Sequence, residues 1–301
     1  MKKRIIIAAL ATSILTACGA KPTGTPNQDT AKTEAQSTES TSSTTQGQKE
    51  QDTDNKPLVE VEEQEIFNQD GIKVTIKGFD QDSTGPYLNV LIENNADKNI
   101  IVQTRNSSLN GYMTDFAISC NVAAGKKAND KIQMDLASIE LSGIGKIYDI
   151  DFDLVVLDEN FGTIAENNGI HINRNLSEPY TQTYDDSGTV VYNQNDIKIV
   201  WKDFATNDTY SFLLFFIENN TSEEITVQTR DTSVNGFMIE PTISSSVLPG
   251  KKAVDVMSFY NTDLEANGIT DISNIETSFH IFSSNFTKTV ADTDPITITL
   301  N

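Results

Sequence analysis

The sequence predicts an all-β fold: two tandem antiparallel β-sandwich modules in one chain. Three observations carry this expectation. From about residue 58 the chain repeats itself with an offset of 125 residues. Within each repeat, apolar and polar residues alternate with a period of two, the signature of half-buried strands. Turn signals such as Asn-Gly and Gly-Lys-Lys recur at matching places between the alternating runs.

The elements follow in chain order. Met1-Lys2-Lys3-Arg4 is a basic start, and Ile5 to Leu15 is an apolar stretch. A bilayer-spanning helix needs about 20 such residues, so this run is too short to span but suits a signal-peptide core. It ends Leu15-Thr16-Ala17-Cys18-Gly19. This end resembles the lipobox of bacterial lipoproteins: a large apolar residue and two small ones before a cysteine. The resemblance implies removal of residues 1–17 and lipidation of Cys18, with diacylglycerol on the sulfur and acyl chains of the palmitate kind. It also implies a place on the extracytoplasmic face of the cell membrane. One lipid chain holds a protein marginally, and two give stable anchoring. Beyond this lipid no cofactor is expected.

Residues 18–57 carry Thr, Ser, Gln, Lys, Glu and Asp with almost nothing apolar. Such a segment cannot bury enough surface to fold and reads as a disordered tether. As a flexible coil it spans roughly 35 Å, and fully stretched on the order of 125 Å. The whole chain holds 43 acidic residues against 22 Lys plus Arg, a formal charge of −21. Loss of the basic start makes the remainder more acidic still. Such a surface repels phosphate backbones, so nucleic acid is excluded as a partner. The two cysteines, Cys18 and Cys120, make neither a disulfide framework nor a zinc site.

The repeat sets the module boundaries at residues 58–178 and 179–301. Ile92-Glu93-Asn94-Asn95 answers Ile217-Glu218-Asn219-Asn220, and Val102-Gln103-Thr104-Arg105 answers Val227-Gln228-Thr229-Arg230. Asn110-Gly111 answers Asn235-Gly236, and Gly125-Lys126-Lys127 answers Gly250-Lys251-Lys252. From Asn68 to Lys127 the match needs no gap, and 27 of 60 positions are identical, which makes duplication the only reasonable source. Ile72, Val74 and Ile76 alternate with Lys73, Thr75 and Lys77; Ile150, Phe152 and Leu154 alternate with Asp149, Asp151 and Asp153. One helical turn is expected at Asp263 to Asn267, stopped by Gly268. Several short strands in about 120 residues suit an antiparallel sandwich.

The runs "IENN", "VQTR", "VNG" and "PGKK" resemble the immunoglobulin-like domains of Gram-positive lipoproteins that have no agreed function. The resemblance covers nearly all of each copy. It implies two tandem immunoglobulin-like sandwiches outside the cell, and it carries over no catalytic residue.

Candidate chemistry is sparse. No phosphate loop and no nucleophile motif occurs, and non-catalytic binding or scaffolding is expected, not an enzyme. His171 and His280 are not equivalent in the repeat and read as surface or strand-end residues. Asp149, Asp151 and Asp153 share one face of a strand, but neighbours there sit about 7 Å apart, too far for all three to hold one ion. They read as a solvated acidic face that discourages edge pairing. Calcium-dependent ligand binding, served by acidic loops such as Asp80-Gln81-Asp82, is the alternative. Cys120, opposite Ser245, reads as a small buried thiol. Arg105 and Arg230 point outward beside Gln103 and Gln228. They serve either an ion pair, with Glu93 and Glu218 as candidates, or a ligand-reading surface. Copy two differs most in one strand, where Leu214 and Phe216 stand in place of Asn89 and Leu91. This second apolar face is either covered by the other module or offered to an envelope protein or cell-wall partner.

Overall fold

The computed structural model describes residues 60–283 and 288–300. The leader, Cys18 and the tether lie outside the described residues. Among the described residues the regular structure is almost entirely strand. Copy one supplies β1 (Gln64–Gln69), β2 (Ile72–Asp82), β3 (Gly85–Asn94), β4 (Ile100–Leu109), β5 (Tyr112–Met113), β6 (Phe116–Ala117), β7 (Ser119–Val122), β8 (Lys126–Met134), β9 (Asp149–Leu157) and β10 (Thr163–Asn173). Copy two supplies β11 (Thr189–Gln194), β12 (Ile197–Thr206), β13 (Tyr210–Asn219), β14 (Ile225–Val234), β15 (Phe237–Met238), β16 (Ser244–Val247), β17 (Lys252–Tyr260), β18 (Asn274–Ser283), β19 (Thr289–Asp292) and β20 (Ile296–Thr299). Two short helices, α1 (Leu136–Leu141) and α2 (Asn261–Ala266), stand at equivalent places in the repeat.

In copy one the sheet β1-β2-β3-β8-β6 covers the sheet β10-β9-β4-β5, with β7 also paired to β4. In copy two β11-β12-β13-β17 covers a sheet built on β14 and β18. Apart from the bridge described next, every strand pairing among the described residues is antiparallel, the arrangement that lets one sheet face pack and the other face water. The second sheet of copy one continues into the first sheet of copy two through one parallel bridge, Tyr112 to Lys252, giving a nine-stranded sheet. The described residues belong to one compact unit.

Local chemistry explains the elements. Ile72, Val74 and Ile76 bury one face of β2, and Ile150, Phe152 and Leu154 bury one face of β9. Asn110-Gly111 and Asn235-Gly236 close their hairpins with both residues at positive φ, 50° and 83° in copy one and 50° and 85° in copy two. That conformation suits the right-handed strand twist, and Asn and Gly adopt it most readily. The helical turn of copy two begins two residues before the sequence reading, at Asn261, and Gly268 follows it at φ 70°. In copy one Asp135 caps the matching helix, its carboxylate accepting from Ser138 N at 2.7 Å.

The buried asparagines of the repeat are a duplicated clamp. Asn94 Nδ2 donates to the carbonyls of Lys98 (2.8 Å) and Val122 (2.9 Å), and its Oδ1 accepts from Ala96 N (3.1 Å). Asn219 does the same with Glu223 (2.9 Å), Val247 (2.7 Å) and Thr221 N (3.0 Å). Both are fully buried. Each ties the end of one sheet to the start of the other.

The two copies share core residues. Val200 and Phe216, from the outer face of β12 and β13, belong to the apolar core of copy one. Met113 of copy one packs against the core of copy two.

Candidate functional site between the modules

The junction is built from the copy-one hairpin after β4 and the outer face of copy two. Tyr112, almost fully buried, meets Phe216 edge-on with ring centroids 6.5 Å apart and Tyr184 at 5.2 Å. Such edge-to-face pairs add to the gain from burial. Leu214 is covered within a small cluster of Phe212 and Val256, with Leu141 of copy one packed against it. The inter-module segment is part of the wedge. Tyr184 Oη donates to the Asn110 carbonyl at 2.9 Å, and Asn110 Nδ2 donates to buried Gln182 at 3.0 Å. Gly111 lies so close that a Cβ there meets Tyr184 Oη at 2.7 Å. Lys252 N donates to the Gly111 carbonyl at 2.9 Å, and its ammonium sits 4.4 Å over the Tyr184 ring.

Charge completes the junction. Lys251 donates to Asp151 Oδ2 at 2.6 Å, joining two residues 100 apart in the chain. His171 Nδ1 lies 2.6 Å from the other Asp151 oxygen, and its Nε2 is 3.3 Å from Asp149. Burial works to raise the Asp151 carboxyl, but Lys251 and His171 together outweigh it and hold it below its ordinary value. Asp151 in turn holds His171 above its ordinary value, against some desolvation. The raised histidine contributes stability that is full below its unfolded pKa of about 6.5 and is lost as pH rises through the native value. The depressed aspartate contributes stability that is full above its unfolded pKa of about 3.8 and is lost as pH falls through the native value. The triad is therefore strongest between these limits. Asp151→Asn is expected to cost about 1 kcal/mol at about pH 6, because the groups are partly solvated, and less at about pH 8. Urea unfolding at the two pH values measures this; an equal loss at both means His171 takes no part.

A polar cleft of about 360 Å³ is walled by Arg105, Thr114 and Asp115 from copy one and by Ser244, Ser246 and Asp255 from copy two. A bulge in β4 after Arg105, with Asn106 at φ 52°, aims this wall. Burial pushes the Asp255 carboxyl up, and Asp115 across the cleft adds to it. The Val256 N–H, donating at 2.7 Å, works the other way. Asp115 is also pushed up, by burial first and then by Asp135. The buried Thr114 Oγ1 has no hydrogen-bond partner among the described residues. Arg105 is exposed and makes no ion pair among them.

Several sequence expectations need correction. Glu93 and Glu218 do not pair with the arginines: Glu93 takes Lys127, and Glu218 takes Lys252 at 3.3 Å. Arg230 lies 3.7 Å from Asp292 instead. Strand β9 is not an edge, because β4 and β10 flank it, so its carboxylates are not a solvated guard. They are engaged by Lys251 and His171, and at Asp153 by Asn106 Nδ2 (2.7 Å) and Gly169 N (2.6 Å). Asp82 of the acidic loop is likewise taken by Lys131 at 2.8 Å and by Thr84, which push its carboxyl down to about 2. His280 is buried within β18, its Nδ1 2.5 Å from Asp292 and its ring 5.0 Å from Phe282. Cys120 is buried, and burial together with neighbouring Asp130 pushes its thiol up to about 12. Among the described residues no group of three or more acidic, His or Cys side chains could hold a metal ion.

The sequence reading missed the cleft acids. Their one local signal is Asp255, a lone acid between Val254 and Val256 in an apolar strand. Fold and junction together define a tandem β-sandwich protein with a polar site between its modules. No protein-family model matches the chain, and no curated protein matches it. Among solved structures it matches the YadV chaperone at 12% identity, covering 76% of this chain and 100% of that one, with a TM-score of 0.25. A protein of unknown function from Porphyromonas gingivalis W83 matches at 12% identity over 76% of this chain and 100% of its own, TM-score 0.23. The exo-chitosanase CsxA of Amycolatopsis orientalis matches at 12% identity over 77% of this chain but 26% of its own, TM-score 0.24.

Proposed function

We propose that the chain is a non-catalytic binding protein, held by lipid on Cys18 at the outer face of a bacterial membrane. Its ligand surface is the cleft between two immunoglobulin-like modules. The observation that carries this reading is the cleft's unmet polarity. Half-buried Asp255, held up by desolvation against hydrogen bonds from Val256 N and Ser245, and the exposed Asp115 and Arg105 line one cleft, and none of the three makes an ion pair among the described residues. A desolvated carboxylate is stabilised by an ammonium group within hydrogen-bond reach, and a guanidinium by a carboxylate. The matching ligand is a small zwitterion of the amino-acid or short-peptide class. The tether supports the reading by holding such a site clear of the membrane.

Thermal unfolding of the chain from Gly19 onward tests it, with free amino acids, a diamine and acetate as probes at millimolar concentration. Amino acids should raise Tm, and Arg105→Ala and Asp255→Asn should each abolish the rise. No shift with any probe, or a shift that survives both substitutions, removes the cleft as the site. Calcium and magnesium in the same assay should give equal, small shifts. A calcium-specific rise would restore the metal-dependent alternative.

A further inference from the structure

The repeat places the same hairpin twice, but only one copy of it is covered. In copy one, Asn110-Gly111-Tyr112-Met113 is the plug that joins the modules. Tyr112 is buried under Phe216 and Tyr184, and Met113 packs against the copy-two core. In copy two the equivalent residues are Asn235-Gly236-Phe237-Met238. Their turn has the same backbone, yet Phe237 is 48% exposed and Met238 68% exposed. They stand side by side at a loop tip of a strongly acidic protein, where water gives them nothing in return.

The covered plug shows what an acceptor needs. Copy two receives it on a sheet face carrying Val200, Leu214, Phe216 and Val254. The Lys252 N–H bonds the hairpin carbonyl, and Lys251 takes an acid from the flanking strand. The second plug has the matching parts: the Gly236 carbonyl, the exposed Phe-Met pair, and Glu276 at the position of Asp151. Copy one keeps the Gly-Lys-Lys turn of such an acceptor, but the apolar face is gone, with Thr75, Asn89, Leu91 and Asn129 at those four positions. A second copy of this chain is therefore a poor recipient, and its better acceptor is already filled by its own copy one.

We infer that Phe237 and Met238 form a docking plug for another β-sandwich protein module, one whose outer sheet face is apolar as in copy two, extending the tandem head to tail. A heterologous contact of this kind adds modules in one direction only. This goes beyond the cleft proposal and does not depend on it, because the plug lies on another part of the molecule.

The test builds the missing acceptor into the chain itself. Asn89→Leu, Leu91→Phe and Asn129→Val together give copy one the residues of copy two. The chain from Gly19 onward should sediment as a monomer, and the triple variant should associate with itself at micromolar concentration. Adding Phe237→Ser and Met238→Ser to the triple variant should weaken that association by roughly a hundredfold or more, the scale of losing two buried apolar side chains. Circular dichroism and melting confirm that each variant is folded. Should the triple variant not fold, Leu91→Phe with Asn129→Val carries the same test on two side chains. A folded acceptor variant that stays monomeric overturns the inference. So does association that ignores the Phe237 and Met238 substitutions. Self-association of the unaltered chain through Phe237 and Met238 would overturn the assignment to a different protein.

Discussion

Replacing Leu214 and Phe216 together by serine is expected to lower the unfolding free energy of the chain by about 5 kcal/mol or more. Large-to-small changes at buried Leu and Phe cost about 2–5 and 3–5 kcal/mol, and serine adds an unpaired hydroxyl. Both side chains sit on the outer face of β13, and the junction covers them: Phe216 belongs to the copy-one core, and Leu214 belongs to a cluster with Phe212 and Val256 that Leu141 of copy one packs against. The loss should therefore come first from the contact between modules. Tyr112 loses its edge-on partner, and with it the reason for the hairpin to stay seated. Denaturant unfolding measures the total. Near-ultraviolet circular dichroism of Tyr112 and its neighbours should change before the far-ultraviolet β signal does. Phe216→Leu, which keeps most of the volume, should cost less than about 1.5 kcal/mol. A double variant that loses under about 1 kcal/mol would mean that copy one does not cover this face.

The second large effect belongs to the asparagine clamps. Asn94→Ala and Asn219→Ala are each expected to cost about 3 kcal/mol. Each substitution removes two side-chain donors and one acceptor from a site with no water access, and leaves carbonyls and an N–H unpaired. Leaving a buried polar group unpaired costs about 1–3 kcal/mol, and partial relaxation keeps the sum below the simple total. Because the duplication preserved the clamp, the two losses should agree within about 1 kcal/mol, provided unfolding is a single transition. Thr221 adds its hydroxyl to Asn219 at 2.7 Å, so copy two should show the larger value. Thermal and urea unfolding of both single variants checks this. A loss near zero at either site would mean that solvent reaches the clamp.

Both the covered face of β13 and the asparagine clamps depend on contacts far apart in the chain. Asn94 and Asn219 stand out in the sequence as a matched pair of the repeat, but nothing local shows that Asn94 reaches across to Val122. The strand faces at Ile72 to Ile76 and Ile150 to Leu154 were legible because period-two alternation is a property of neighbours in the chain. The Asn-Gly hairpins were legible because positive φ is a property of those residues themselves. The copy-two helix was legible for the same reason, through the glycine that ends it.

The all-β class, the duplication, the strand faces and the turns are legible from the chain alone. Each follows from local stereochemistry or from matching one stretch of chain against another. The sequence also marks Leu214 and Phe216 as anomalous without saying what covers them. It is the folded arrangement that brings the outer face of β13 to the Tyr112 hairpin, Lys251 to Asp151, and Asp115 and Asp255 to one cleft. Those pairings join residues 100 or more positions apart. Many faces of similar polarity compete for such contacts, and no local pattern ranks them. The choice rests on shape and on the summed burial of the whole junction, which exists only once both modules are folded.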